Sequence, residues 1–251
     1  MTGVLPVALN DATKVLKVLL EGGKEYVCVM QLHGPAEPSM VESVLAEFQG
    51  EIYQRPPLRA SVKRTLRTRT VYYINLLEAE GRLVLFKAGC QAGTYVRKLC
   101  FDIGQVLGTG GHMKELRRTR VGPFTEDVAL ASLEELAQAH DQFKEGDASR
   151  LVRLLQPVED ALALVPKMTV RDSAVDAICH GADLAIPGIF SLEKEITPES
   201  TVAVFTLKGE AVSLGRALMS TEDILEKEKG IAAKTERVVM KPGTYPKKWR
   251  G

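Results

Sequence analysis

Cysteine is scarce: only Cys28, Cys90, Cys100 and Cys179, with no C-x-x-C pair among them. That spacing argues against a zinc site or a disulfide framework, and buried free thiols are the expectation. No apolar run reaches membrane-spanning length and no signal-peptide pattern opens the chain, so a cytoplasmic protein is expected. Internal repeats and low-complexity tracts are missing as well. The glycine-rich residues 108–111 follow a helical pattern and lack a Gly-Lys-Ser/Thr ending, which speaks against a nucleotide-binding phosphate loop. What remains, at 251 residues with 45% hydrophobic and 26% charged, is a globular chain with room for one large or two ordinary domains.

The net charge of +1 conceals a strong pattern. Residues 55–120 carry 14 basic and 4 acidic side chains, while 1–54 carry 3 and 7, and 121–165 carry 3 and 9. A basic block between two acidic ones is the footprint of a surface that faces a polyphosphate backbone. Its first part holds Arg55, Arg59, Lys63, Arg64, Arg67 and Arg69 with no acid among them. A solvated basic loop is the plainer reading, and the density of charge disfavours it.

Within that block, a strand-like run at 83–87 leads to a turn at Gly93. Val96, Leu99, Cys100, Ile103, Val106 and Leu107 then recur at helical spacing, with Thr94 as the expected N-cap. Arg97 falls in the first turn, where the helix dipole favours negative charge. A cation there points to an anionic partner. Residues 114–120 read as a short polar segment rich in arginine.

The motifs Gly93-Thr94-Tyr95-Val96-Arg97-Lys98-Leu99, Gly108-Thr109-Gly110-Gly111-His112-Met113 and Leu116-Arg117-Arg118-Thr119-Arg120-Val121-Gly122 resemble the TruB/dyskerin family of pseudouridine synthases. Within it they are most similar to the archaeal and eukaryotic branch that works in H/ACA guide-RNA particles. The basic run from Arg55 to Arg64 resembles the same branch. So do His180-Gly181-Ala182-Asp183-Leu184, Gly215-Arg216-Ala217-Leu218 and Gly243-Thr244-Tyr245-Pro246, which look like a PUA domain and the family's C-terminal end.

The resemblance implies an RNA isomerase that needs no metal or redox cofactor. It implies that Tyr26 stacks on the target base, that Arg97 pairs with a catalytic carboxylate, and that Leu116 lines the uracil pocket. Tyr26 as a packed strand tyrosine and Leu116 as a core leucine are the bland alternatives. RNA contacts are implied for Arg59, Lys63, Arg64 and Tyr95, and for His180, Gly181 and Ala182 of the PUA loop. Arg117 and Arg118 are expected to touch phosphate or form local ion pairs. The implied partners are a guide RNA, an rRNA or tRNA substrate, and small accessory proteins of the particle, with no membrane.

Met1-Thr2-Gly3-Val4-Leu5-Pro6-Val7 is similar to the second half of the family's most specific motif, whose nucleophilic Asp would lie three residues before Met1. Asp11 reads as a helix cap and Asp102 as a mid-helix residue, so neither replaces it. The chain as given is therefore expected to be inactive by itself, with a start read from a valine codon or a broken gene as the explanation.

The expected fold is α+β. A mixed, mainly antiparallel sheet with flanking helices should occupy residues 1–163. A small β-barrel of the PUA kind should occupy 164–240, followed by a basic tail at 241–251. Two rivals stand beside the guide-dependent synthase: a stand-alone enzyme acting on the tRNA T-loop, and a non-catalytic RNA-binding remnant.

Overall fold

The computed structural model describes residues 2–56, 63–127 and 130–247. The chain forms two compact units, one from Met1–Pro6 and Leu20–Gln138, the other from Val7–Leu19 and Ala139–Gly251. Both belong to the α+β class expected from the sequence.

In chain order the first unit holds β1 (Thr2–Gly3), then the end of α1 (Leu16–Glu21), β2 (Lys24–Leu32), α2 (Pro38–Glu47), β3 (Gly50–Gln54) and β4 (Arg67–Glu80). It continues with β5 (Leu83–Cys90), α3 (Val96–Val106), β6 (Gly111–Val121), β7 (Phe124–Thr125) and the start of α4 (Leu133–Lys144). The strands form one sheet in the order β1-β6-β2-β5-β4-β3, with β7 beside β6. Every pair is antiparallel except β1 with β6.

Alternation along β2 buries Cys28, Met30 and Leu32 and leaves Val27, Val29 and Gln31 half-exposed, the period-2 signature of a sheet with one covered face. Helices α2 and α3 supply the cover. Val96, Leu99, Cys100 and Ile103 form the buried stripe of α3, and with Phe86, Met30 and Leu45 they make the core of this unit. Each such side chain contributes roughly 1.5–3 kcal/mol through removal from water. Val106, which the periodicity also put in the stripe, is 52% exposed at the helix end.

Three expectations need correcting here. The polar segment at 114–120 is part of β6, an eleven-residue strand paired with β2 along its length. Its outer neighbours are only the two-residue β1 and β7, so most of its side chains stay exposed or half-exposed and the apolar alternation that marks a strand is missing. Thr94 does not cap α3; its hydroxyl donates to the Gln91 carbonyl at 2.8 Å, and the N-cap position belongs to Tyr95. Asp11 is not a cap either, but sits in the first turn of a 3-10 segment (Asn10–Val15) and pairs with Lys14 at 3.1 Å.

The second unit holds the 3-10 segment, the start of α1 and the end of α4. After them come α5 (Ser149–Leu154), α6 (Val158–Ala161), β8 (Lys167–Val170), α7 (Asp172–Cys179), β9 (Leu184–Ala185) and β10 (Ile189–Leu192). It closes with β11 (Thr201–Phe205), β12 (Ala211–Ala217), α8 (Thr221–Glu226) and β13 (Ile231–Val238). Six strands in the order β10-β8-β11-β12-β13-β9 curl into a nearly closed barrel around Met168, Val204, Val212 and Ala232. Residues 180–187 start at the C-terminal end of α7, and only Leu184–Ala185 pairs. Ser220 caps α8, its hydroxyl accepting from the Asp223 N–H at 3.2 Å. Residues 241–247 are irregular yet docked: Tyr245 is buried and its hydroxyl donates to Glu210 at 2.6 Å.

Candidate active site

Antiparallel register decides which side chains of the sheet share a face. Tyr26 of β2 stands opposite Arg118 of β6 and Ala88 of β5, and Cys28 stands opposite Leu116 of β6 and Phe86 of β5. Phe86, Ala88 and Cys28 face the helices, so Tyr26, Leu116 and Arg118 lie on that covered face, at the end where β5 runs toward α3. Tyr26 and Leu116 are half-buried against the core. Burial raises the Tyr26 phenol above its ordinary range, and the nearby Arg118 guanidinium partly offsets this. At neutral pH Tyr26 is therefore a neutral ring with a polar tip beside a cation.

Arg118 is fixed from the other side as well. Its Nε donates to the Val4 carbonyl at 2.7 Å, and the Val4 N–H donates to the Arg118 carbonyl at 2.7 Å. This seat depends on Gly3. With φ +109 it adopts a backbone form that L side chains rarely take, and a Cβ there would lie 2.1 Å from the Arg118 oxygen. Residues 2–4 thus run directly along the strand that carries Arg118.

Lys24, at the start of β2, hydrogen bonds to the Leu20 and Gly22 carbonyls at 2.6 and 2.7 Å. Burial and then the Arg118 charge lower its pKa. Arg97 occupies the second position of α3 and is exposed, with no hydrogen bond or ion pair to any described residue. Two turns of physical chemistry agree on it: a cation at a helix N-terminus costs stability, and nothing in the described residues compensates.

Beneath Tyr26 lies a polar cluster that sequence reasoning missed. Glu25 accepts from the Tyr73 hydroxyl, from Thr119 Oγ1 at 2.7 Å and from Lys87 Nζ at 3.1 Å, and Arg120 donates to the Tyr73 oxygen at 3.1 Å. Burial alone would raise the Glu25 pKa; the bonds from Tyr73, Thr119 and Lys87 outweigh it and hold the carboxyl low. Tyr73 is shifted up by burial and by that carboxylate. A β-bulge between Glu25 and Tyr26 completes the arrangement: unbroken register from the Tyr26–Arg118 pair would put Thr119 opposite Glu25, and the bulge brings Arg120 opposite it as well. No hydrophobic period announces a bulge, so the sequence carried no signal for it.

The basic segment is only partly in view. Arg59 lies outside the described residues. Lys63 and Arg64 are exposed; Arg64 Nε donates to the Pro56 carbonyl at 3.3 Å, and Arg67 donates to the Lys63 carbonyl at 3.1 Å. Arg117 forms an ion pair with Glu126 at 2.7 Å, the local pairing that was one of its two expected roles. Tyr95 is half-buried, and its backbone rather than its ring makes the recorded contacts. All four cysteines are free and buried, as expected, and Cys28 and Cys100 lie with Sγ atoms 3.5 Å apart in the core. Their mutual hydrogen bond and burial keep the Cys100 thiol far above its usual pKa, so it is inert rather than nucleophilic.

In the barrel, the residues at 180–182 form the loop that leaves α7. His180 is half-exposed at its side chain and bonds through Nδ1 to the Asp176 carbonyl at 2.8 Å. The buried Asp176 side chain accepts from the Gly243 N–H at 3.2 Å. Thr235 holds the loop by donating from Oγ1 to the Ala182 carbonyl at 2.8 Å and from its N–H to Asp183 at 2.9 Å. Gly181 adopts φ +90 with open space where a Cβ would stand. The loop therefore offers bare backbone to solvent on a rigid base. Among the described residues no group of three or more His, Cys, Asp or Glu is placed to hold a metal.

A tyrosine bordered by a cation on a helix-backed sheet thus stands in a chain that also carries a small barrel with an exposed glycine loop. Residues 97–163 match the tRNA pseudouridylate synthase B C-terminal domain, residues 166–239 the PUA domain, and residues 4–128 the Pus10 C-terminal family. The chain belongs to the TruB/Cbf5 family of pseudouridine synthases, which are isomerases. A curated relative from Methanopyrus kandleri, named "Probable tRNA pseudouridine synthase B", is 53% identical over 250 residues, covering 99% of this chain and 74% of the relative. Its counterpart in Thermococcus kodakarensis is 52% identical over 251 residues, with 100% and 74% covered. A chain in a crystal structure of a Cbf5-Nop10-Gar1 complex superposes with a TM-score of 0.94 at 52% identity, covering 97% of this chain and 74% of that one. A chain in an H/ACA RNP bound to a substrate RNA containing 2'-deoxyuridine gives 0.92 at 50%, covering 98% and 75%.

Proposed function

We propose that this protein is the uridine-isomerising subunit of a guide-RNA particle of the H/ACA kind, modifying rRNA or tRNA in the cytoplasm. The observation that carries the reading is the convergence of Tyr26, Leu116 and Arg118 on one sheet face near the start of the helix that bears the unpaired Arg97. The reaction breaks the C1′–N1 bond of uridine, turns the uracil and joins C1′ to C5; C5 loses a proton and N1 gains one, so no atom or electron is gained or lost overall. The base must first leave its stack. Tyr26 then offers a ring for it to lie on, Leu116 an apolar wall, and Arg97 a cation for the carboxylate nucleophile. Lys63, Arg64 and Arg59 track phosphates, and the backbone of Gly181 and Ala182, with His180, contacts the guide. The accessory proteins present in the related complexes are the proposed protein partners.

The carboxylates near this machinery are engaged elsewhere: Glu25 by Tyr73, Thr119 and Lys87, and Asp102 by Lys98 on α3. We therefore expect the 251 residues alone to bind RNA without forming pseudouridine, and the family's Leu-Asp-Pro segment, joined so that its Asp lies three residues before position 1, to supply the nucleophile. Incubating both forms with guide RNA, accessory proteins and a substrate RNA, and measuring pseudouridine, tests this. Guide-dependent product from the extended form alone is the expected result. Product from the 251 residues would require another nucleophile. The name shared by the curated relatives favours a second reading, a stand-alone tRNA synthase; product on a free tRNA without any guide would establish it. No product from either form leaves a binding protein.

A further inference from the structure

The first turn of α3 cannot cap itself. Its N-cap residue is Tyr95, which makes no side-chain cap bond, and the third helical position is Lys98. A reciprocal cap needs Glu or Gln at that third position to accept from the N-cap N–H, and a lysine can only donate. The missing acceptor comes from another strand. Gln54, the last residue of β3, is 2% exposed, and its Oε1 accepts from the Tyr95 N–H at 2.9 Å while its Nε2 donates to the Tyr95 carbonyl at 3.2 Å. One buried side-chain amide therefore holds both backbone groups of the residue two places before Arg97.

Neighbouring bonds tighten the same turn. Gln91 donates from its N–H to the Thr70 carbonyl at 2.8 Å and accepts from the Thr70 N–H at 3.1 Å, while the Thr94 N–H donates to the Gln91 carbonyl at 3.2 Å. The Arg69 guanidinium lies 3.2 Å from where a Gly93 side chain would begin. Gln54 and Arg69 flank the basic segment, one just before it and one at its far end; Gln54 holds the turn that presents Arg97 by hydrogen bonds, and the Arg69 guanidinium lies beside it.

We propose that Gln54 is a positioning residue of the synthase, aiming Arg97 at its anionic partner by fixing the start of α3. This rests on the reading of Arg97 under the proposed function. Such a residue acts on turnover and not on substrate affinity, because a side chain 2% exposed is out of reach of RNA. A displacement of about 1 Å at a reacting group costs on the order of a hundredfold in rate, and Gln54 should account for about tenfold to a hundredfold of kcat.

The Gln54→Glu variant gives a readout that packing alone does not. Its carboxylate still accepts from the Tyr95 N–H but cannot donate to the carbonyl; once protonated it does both, as the amide does. Burial against a carbonyl raises its pKa. Two measurements are made at matched pH against wild type: hydrogen exchange across residues 91–99 of the 251-residue chain, and kcat and KM of the particle carrying the Leu-Asp-Pro segment. Gln54→Leu should lose protection in that segment and lower kcat with KM within about twofold of wild type. Gln54→Glu should behave like it at pH 8 and approach wild type as pH falls toward 5.5. Unchanged exchange, or unchanged kcat in both variants, overturns the proposal, as does a Gln54→Glu defect indifferent to pH. If Gln54→Leu fails to fold, the acid recovery of Gln54→Glu decides alone. Should the wild-type particle make no pseudouridine, the synthase reading falls, whereas the exchange measurements still decide whether Gln54 holds the turn.

Discussion

In the sheet unit, the groups proposed to bear on chemistry are side chains held by strands and by one helix end: Tyr26, Arg118, Leu116 and Arg97. In the barrel they are mainly backbone groups of one loop, residues 180–182, braced by Thr235 and Asp176. The first arrangement leaves a cation without a partner among the described residues and so carries a local instability. The second satisfies its own hydrogen bonds and leaves only an open glycine. A site that must act on charge keeps charge in reserve; a site that must recognise a shape keeps its backbone bare and its side chains out of the way. The two units should therefore fail differently when perturbed.

The largest effect should come from the cores, which are separate clusters of buried residues. Phe86→Ala removes a fully buried ring from the sheet unit and should cost about 3–5 kcal/mol there. Met168→Ala should cost about 2–5 kcal/mol in the barrel. Hydrogen exchange resolved by segment should show each loss in its own unit. Equal loss of protection in both units from either variant would dissolve the distinction drawn above.

Next in size is Tyr26→Phe. The ring and its burial survive, and only the oxygen beside Arg118 is lost. Product formation in the competent particle should fall by about a hundredfold or more if that oxygen handles a proton, with RNA affinity kept. A fall of less than about twofold would leave Tyr26 a stacking platform and nothing else.

How much of this could be read beforehand differs between the units for physical reasons. The helical stripe of α3 and the alternation of β2 follow from burial on one face, and both were legible. The strand β6 was not, because its outer neighbours β1 and β7 are short and its side chains stay polar. The pairing of Arg118 with Tyr26 depends on a bulge, and the clamp by Gln54 depends on two residues 41 apart in sequence meeting across the fold. No local pattern encodes either. One cue was available for Gln54: it directly precedes the basic run, at the point where a strand must end and a loop begin. In the barrel, the glycines flagged the loop at Gly181, but α7 was missed because Asp172–Cys179 is short and lies in a stretch otherwise read as strands and turns.

Smaller effects should separate the charge of one unit from the backbone of the other. Replacing Lys63 and Arg64 by Ala deletes exposed charges, so affinity should fall about equally for all RNAs, and the salt slope should drop by roughly 1 to 2. Gly181→Val strains a left-handed backbone and puts methyl groups into the open space above the loop. If the loop reads the ACA end of the guide RNA, as the PUA resemblance implies, discrimination between ACA and a scrambled trinucleotide should weaken while the salt slope stays within about 0.3 of wild type. Binding curves at several salt concentrations with matched and scrambled RNAs read both. An intact ACA preference in the glycine variant would remove the barrel loop from the recognition surface.

The smallest effect concerns acid. The Glu25 carboxyl is held below its ordinary pKa, so the protein binds its proton less readily when folded than when unfolded. A depressed carboxyl contributes stability that is fully present above the unfolded value, about 4.3 for Glu, and that is lost as pH falls through the lower folded value. The sheet unit should therefore weaken on acidification below about pH 4.3. Glu210 in the barrel is depressed too, chiefly by the Tyr245 hydroxyl, so acid alone does not distinguish the units. Substitution does. Glu25→Gln keeps one acceptor oxygen, for either Tyr73 or Thr119 but not both, and has no charge to lose; it should flatten the pH dependence of protection in the sheet unit while leaving that of the barrel as it was. Tyr245→Phe should do the converse, because the barrel then loses the bond that holds Glu210 low. Exchange protection followed from pH 6 to pH 3 in the two variants reads the slopes side by side. If Glu25→Gln leaves the acid slope of the sheet unit unchanged, the cluster under Tyr26 is held by packing, and the carboxylate is not what fixes the bulge that turns Arg118 toward the tyrosine.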